Sequence, residues 1–390
     1  MNMLHRINLV SIVALMVFSA CSMLSPLQKS KLVSVFHLIE TSKYNEAKGV
    51  VEELIADDEF AKWDRTWYAR GLLAQTAYRE GVRRNDRRMR ELYPDQLYVA
   101  HESFEKALLL DKRGRREKQL LPKYILLAND LQAMGEQHFS AGRHEEAFKA
   151  FETALQISEQ PFMDLPTDTN LLYNTALAAY ESRNWELAAK HLKRLHQMEH
   201  SPNIAHLLYR AYLKKGDDGA AEKALKEGVA IYDDREDLVL LLADFYLARG
   251  QKQPALYTMD QAIAKEPDNA VYHNTKGLIY QKTGNYHEAI LAYYDAVEHA
   301  PDDLMILVNI AICYYNIGVE IEESSRVITN SRMVQSERAR SVAAFDSAVT
   351  WLDKVYEQEP EDRQILQSIY QLYRSLRVID KADSLEQRLN

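Results

Sequence analysis

The chain has 390 residues, 47% hydrophobic and 27% charged, with a formal net charge of −9. That balance is ordinary for a globular protein, and its acidity argues against general nucleic-acid binding, which sets cations against phosphates. Only 13 glycines and 10 prolines, with no sustained alternation of apolar and polar residues, predict an all-helical chain.

The chain opens with His5 and Arg6, an apolar stretch from Leu9 to Phe18, and two small residues, Ser19 and Ala20, before Cys21. Ten such residues are too few to span a bilayer but suit a secretory signal. The order apolar, small, small, Cys in "VFSACSMLSP" (17–26) resembles the lipobox of bacterial lipoproteins, with Phe18 where that family usually has Leu. The resemblance implies a signal peptide over 1–20, acylation of Cys21 and a lipidated tether over 21–31. A plain signal peptide that leaves Cys21 as a free thiol is the alternative. Ser22 rather than Asp follows the Cys, and 22–31 lacks an acidic tract. By the same resemblance these features imply the periplasmic side of an outer membrane. No apolar run beyond residue 20 reads as long enough to span. Cys313 reads as a buried small hydrophobe rather than half of a disulfide.

Further along, Gly216, Gly250, Gly284 and Gly318 stand at a constant interval of 34 residues. Between Ala270 and Pro301 the same interval frames Gly277, Tyr280, Gly284, Ala289, Tyr293 and Ala296. One step earlier come Ala243, Tyr246, Gly250, Ala255, Met259, Ala262 and Pro267. Small residues let two helices approach, and bulky ones fill the gap between hairpins. The glycine leaves a helix through a backbone only it adopts cheaply, and the proline stops the next helix. This pattern resembles the tetratricopeptide repeat (TPR) family. It implies an all-α TPR solenoid, a right-handed superhelix of about nine hairpins. Weaker copies extend it to N-terminal hairpins over 32–160, regular repeats over 169–301 and C-terminal hairpins over 302–390. The loop 158–170 is the one expected joint. A "YYN-G-E" helix leading into a lengthened last repeat is similar to TPR lipoproteins of the Bacteroidetes.

Two insertions interrupt the array. The first, 79–95, is rich in arginine, and Arg83, Arg84, Arg87 and Arg88 join Arg115 and Arg116 as a basic patch. It reads either as a contact for anionic lipid or an acidic partner, or as a solvated helix extension. The second, 319–343, reads as lengthened helices with a tip near 329–332, either a partner contact or a tolerated insertion.

In the TPR family one face of each first helix lines a concave groove. Carried over residue by residue, it implies a partner-binding groove of Tyr173, Asn203, His206, Arg210, Asp244, Asn274, Gln281 and Tyr315. Asp237 and Asp244 interrupt the basic pattern of a carboxylate clamp. No phosphate-binding loop, GxSxG elbow, HExxH or paired CxxC occurs. The expectation is therefore no catalytic residue, no metal and no cofactor. It is a scaffold that binds other proteins of a bacterial envelope complex, holds the membrane through its lipid and binds no nucleic acid. The alternative is a glycan- or peptide-binding lipoprotein, or an accessory subunit of an envelope enzyme.

Overall fold

The computed structural model describes residues 26–358 and 361–389. The signal segment and Cys21 lie outside the described residues. Those residues form helices and turns with no strand, and the chain divides into two compact units, the first ending at Gln197 and the second beginning at Met198. The loop 158–170 is no joint. Its short 3-10 turn Pro161–Met163 buries Met163 and sets Phe162 5.6 Å from Tyr124 within the first unit.

Among the described residues the first unit holds four antiparallel hairpins. α1 (Pro26–Glu40) pairs with α2 (Tyr44–Ala56) and α3 (Asp64–Arg83) with α5 (Gln96–Leu110). α6 (Arg116–Ser140) pairs with α7 (His144–Ser158) and α8 (Thr169–Glu181) with α9 (Trp185–Gln197). The segment 26–31, expected to be part of the tether, belongs to α1. The insertion after α3 folds back through a one-turn helix, α4 (Arg87–Arg90). Buried Gln96 pins it. The Gln96 amide donates to the Ala74 and Met89 carbonyls at 2.8 and 3.1 Å and accepts from the Tyr93 N–H at 3.2 Å.

Among the described residues the second unit holds five hairpins. They are α10 (Pro202–Lys215) with α11 (Asp218–Ile231), α12 (Glu236–Leu247) with α13 (Lys252–Lys265), and α14 (Ala270–Lys282) with α15 (Tyr286–His299). α16 (Leu304–Ser325) with α17 (Ser331–Glu357), and α18 (Arg363–Ser375) with α19 (Ile379–Leu389), complete the unit. Short polar side chains start several of these helices. The carboxylates of Asp303 and Asp362 each accept two backbone N–H groups of the first turn, satisfying donors the helix itself cannot.

Within the hairpins, glycine meets an aromatic ring. A Cβ placed on Gly71, Gly135, Gly277 or Gly318 would stand within 2.7 Å of the ring of Phe104, Phe151, Tyr293 or Phe345 respectively. The absent side chain is the space that ring fills. A second set of glycines ends first helices. Gly216, Gly250 and Gly284 take φ of 83°, 68° and 76°, the left-handed turn that caps a helix C-terminus. At the matching turn of the α8–α9 hairpin, Arg183 holds φ 62°, a conformation that costs an L-residue about 1–2 kcal/mol.

Gly318 departs from its 34-residue companions. It lies inside α16 against Phe345 rather than in a turn. Relative to the ordinary small–bulky pair Ala311 and Leu352, it sits seven residues later on one helix, and Phe345 seven residues earlier on the other. The insertion therefore prolongs the hairpin by one heptad in register, and the Ser341 hydroxyl donates to the Gly318 carbonyl at 3.1 Å. The connection falls at 326–330, and the Asn330 side chain accepts from Arg332 and Met333 N–H. Against the expectation from sequence, α16 is long and apolar enough to cross a bilayer. Half of that stretch is buried in the unit: Ile306, Ile310 and Cys313 share a core with Tyr293 of α15, and Leu307 and Val308 pack with Leu352 and Ile369. Burial pushes the Cys313 thiol up to about 12, so it stays protonated.

Gly277→Ala drives a methyl into the buried Tyr293 ring and is expected to destabilise the second unit by about 1–3 kcal/mol. Gly49→Ala on the exposed face of α2, where nothing lies within 4 Å, is expected to stabilise by about 0.5–1 kcal/mol. Denaturant midpoints of the two variants check the opposite signs.

Candidate functional site

The groove residues divide between the two units. Tyr173 lies half-buried on α8 of the first unit; all the others belong to the second. There Asn203 and Arg210 on α10 and Asp237 and Asp244 on α12 are exposed, and His206 is half-buried among them. Burial, then the Arg210 charge, pushes the His206 imidazole below its ordinary 6.5, and Asp237 opposes the shift in part. Asp237 is itself held by Arg235, whose guanidinium donates two bonds at 2.8 and 2.9 Å. The result is a polar face with both signs of charge.

Two predicted groove residues serve packing instead. Gln281 accepts a hydrogen bond from the Tyr293 hydroxyl within its own hairpin. Tyr315 packs on Phe345 with ring centroids 5.8 Å apart. Asn274 keeps a buried side-chain oxygen without a hydrogen-bond partner among the described residues, so a donor supplied by a ligand would be gained at little desolvation cost.

The basic patch is also redrawn. Arg83 and Arg84 both bind Glu80, Arg83 first among the causes that hold its carboxyl down at about 2. Arg87 pairs with Glu91 at 2.8 Å. Arg116 is buried, paired with Asp64 and lying 4.9 Å over the Tyr68 ring. Arg88 and Arg115 remain exposed. A run of arginines does not by itself make a patch, because acids one helical turn away hold Arg83, Arg84 and Arg87.

The sequence reading missed a cleft of about 1270 Å³ between α11 and α13, floored by α12. Val229, Val239, Leu242, Tyr246, Tyr257 and Tyr272 supply its apolar wall, and Tyr257 is 65% exposed. The next repeat differs in its cross-helix pairs. There Lys276 reaches Asp260 at 2.7 Å and His273 stacks on His299 at 5.6 Å. In the cleft, 34 residues earlier, these four positions hold Leu242, Lys226, Val239 and Lys265, and Lys226 turns to Glu222 at 2.6 Å. The signal was present as a broken repeat of cross-helix pairs, visible only once the packing partners are known. Among the described residues no group of three or more His, Cys, Asp or Glu side chains is placed to hold a metal ion.

Residues 212–279 and 270–303 match two tetratricopeptide repeat models. Over this stretch the chain carries tetratricopeptide repeats, which indicate a protein–protein interaction scaffold. The TPR repeat-containing protein YpiA of Bacillus subtilis (strain 168) is 22% identical over 209 residues, 53% of this chain. The match spans 47% of that relative, about half its length. Among solved structures, a TPR repeats protein from Bacteroides fragilis is similar at 18% identity, covering 64% of this chain and 98% of the other with a TM-score of 0.35. The C-terminal part of a TPR repeat-containing protein from Cytophaga hutchinsonii is similar at 13%, over 66% and 93%, with a TM-score of 0.43.

The lowered pKa of His206 carries a sign. The unfolded chain binds the proton more tightly, so protonation favours unfolding, and stability is lost as pH falls through the unfolded value of 6.5. His206→Gln is expected to reduce that acid-side loss while changing little above pH 7, measured as the denaturant midpoint against pH.

Proposed function

We propose that this chain is a lipid-anchored interaction scaffold of a bacterial envelope, of the Bacteroidetes type, held at the periplasmic side of an outer membrane by acyl chains on Cys21. The observation that carries the scaffold reading is the run of repeats over 212–303, with an exposed, mixed-charge face from Asn203, Arg210, Asp237 and Asp244. Mixed charge selects a partner by pairing rather than by bulk attraction. An extended segment or a helix of another protein of the envelope complex is the fitting occupant. The lipobox-like order before Cys21 supports the anchor. Chemistry is no part of this reading; binding alone carries the function.

Crosslinking in intact cells, with Cys21→Ser beside the wild type, tests it. The wild type is expected in the membrane fraction with envelope proteins attached, and the variant is expected to lose both. A variant that stays membrane-bound with the same partners refutes the anchor. Asp244→Lys, an exposed change, is expected to weaken partner capture about ten-fold or more, since like charges set opposite one another cost several kcal/mol.

The cleft between α11 and α13 favours a second reading, a substrate-handling lipoprotein. Three tyrosines on an apolar wall suit the faces of a sugar or the side chains of a peptide. Calorimetric titration with soluble envelope oligosaccharides and peptides decides it. Saturable binding lost on Tyr257→Ala supports this reading, and heat unaffected by the substitution excludes it.

A further inference from the structure

We propose that the first unit carries a membrane contact separate from the acyl chains, a cationic pocket among α1, α3 and α6 that takes the phosphate of an anionic lipid headgroup. The inference rests on the acylation of Cys21 only for the surface it faces. The segment from Asp111 to Lys118 holds five cations against two acids in a chain of net charge −9. Its fold decides which of these charges are available. The Asp111 carboxylate accepts the backbone N–H of Arg113 and of Arg116, at 3.1 and 2.7 Å, which starts α6 with Arg116 turned inward. Arg116 is then fixed by Asp64, by Gln119 and by the face of Tyr68.

Around this buried guanidinium lies a cavity of about 430 Å³. Its charged lining is cationic throughout, Arg65, Arg116 and Lys118, and Phe36, Tyr68 and Pro122 form its apolar wall. Arg65 and Lys118 are exposed and make no ion pair or side-chain hydrogen bond among the described residues; Lys112, Arg113 and Arg115 extend the unpaired charge beside them. This is the reverse of Arg83, Arg84 and Arg87 in the 79–95 insertion, which are held by Glu80 and Glu91. A phosphate ester fits such a lining. The cations meet its charge, and the ring and proline surfaces cover the apolar atoms attached to it.

Covalent reach favours a lipid source. From Cys21 to Pro26 the chain spans at most roughly 18 Å, and along α1 from Pro26 to Phe36 it rises about 15 Å. Once Cys21 is in the bilayer, the pocket meets headgroups at a high effective concentration, so even a weak site is filled. Each cation near an anionic surface is worth about a five-fold gain in affinity.

The test uses the purified full chain with Cys21→Ser, which carries no acyl group. Affinity is measured for vesicles of phosphatidylglycerol and phosphatidylcholine in equal parts, and for phosphatidylcholine alone. The readout is the ratio of the two, in which any contribution of the apolar run Leu9–Phe18 cancels. The expected ratio is well above one and falls about five-fold with Arg65→Gln and again with Lys118→Gln. Arg83→Gln and Arg87→Gln make the same change in charge at paired positions and are expected to leave it unmoved. A ratio of one, or equal losses from both pairs of variants, overturns the proposal. So does binding of inorganic phosphate or polyglutamate at Arg65 and Lys118 without preference for the anionic vesicles. The mass of the N-terminal peptide from cells reads the anchor separately. An unmodified Cys21 with an intact vesicle preference sinks the anchor and still supports the pocket.

Discussion

In four hairpins a glycine on the first helix lies against an aromatic ring on the second, and the rest of the packing follows from that approach. Removing the side chain from Gly71, Gly135, Gly277 or Gly318 leaves room for one ring of Phe104, Phe151, Tyr293 or Phe345. The ring then fixes how far the two helices slide and rotate against one another, because interiors are packed to crystal density and tolerate no shift of a methyl's width. Elsewhere an alanine takes the glycine's role and a leucine or methionine the ring's, as in the cores holding Ala311 with Leu352 and Ala243 with Met259. The hairpins then share continuous cores with their neighbours, which cover their remaining apolar faces.

A repeat built this way tolerates change wherever the small–bulky pairing is kept. The hairpin of α16 and α17 grows by a heptad because Gly318 and Phe345 repeat the contact of Ala311 and Leu352. The insertion between α3 and α5 is held by one buried amide, Gln96. Loss of pairing has the opposite result. Where the second unit lacks the cross-helix contacts of the following repeat, a cleft opens between α11 and α13, and three tyrosines come to line it. Regular packing is therefore the background against which binding surfaces arise, by omission as much as by addition.

Charge follows the same logic at shorter range. Arg83, Arg84 and Arg87 are answered by Glu80 and Glu91 within a turn, whereas Arg113 and Arg115 before the start of α6 are not. What distinguishes them is not the count of cations but the helical spacing of the acids beside them. On the second unit, Asp237 and Arg235 pair in the open, and His206 is tuned between Arg210 and Asp237. That leaves a face whose character is mixed rather than acidic.

The hairpin count, the helix–turn–helix order and the small–bulky register were legible in the sequence, because each depends on contacts between residues close along the chain. The turn glycines Gly216, Gly250 and Gly284 were legible for the same reason, and so was the lengthening of the hairpin after Gly318. The role of Gly318 itself was not, since a fixed interval cannot tell a turn from a helix that runs on through it. Nor could spacing reveal that Gln281 and Tyr315 are engaged in packing, that Arg116 is buried against Asp64, or that α16, apolar enough for a bilayer, is a core helix. Those outcomes depend on which side chains meet across helices. The sequence by itself determined a chain of helical hairpins. Tertiary structure alone decided which of its polar groups remain free to bind, because a charge or an amide is available only when no neighbouring helix has already satisfied it.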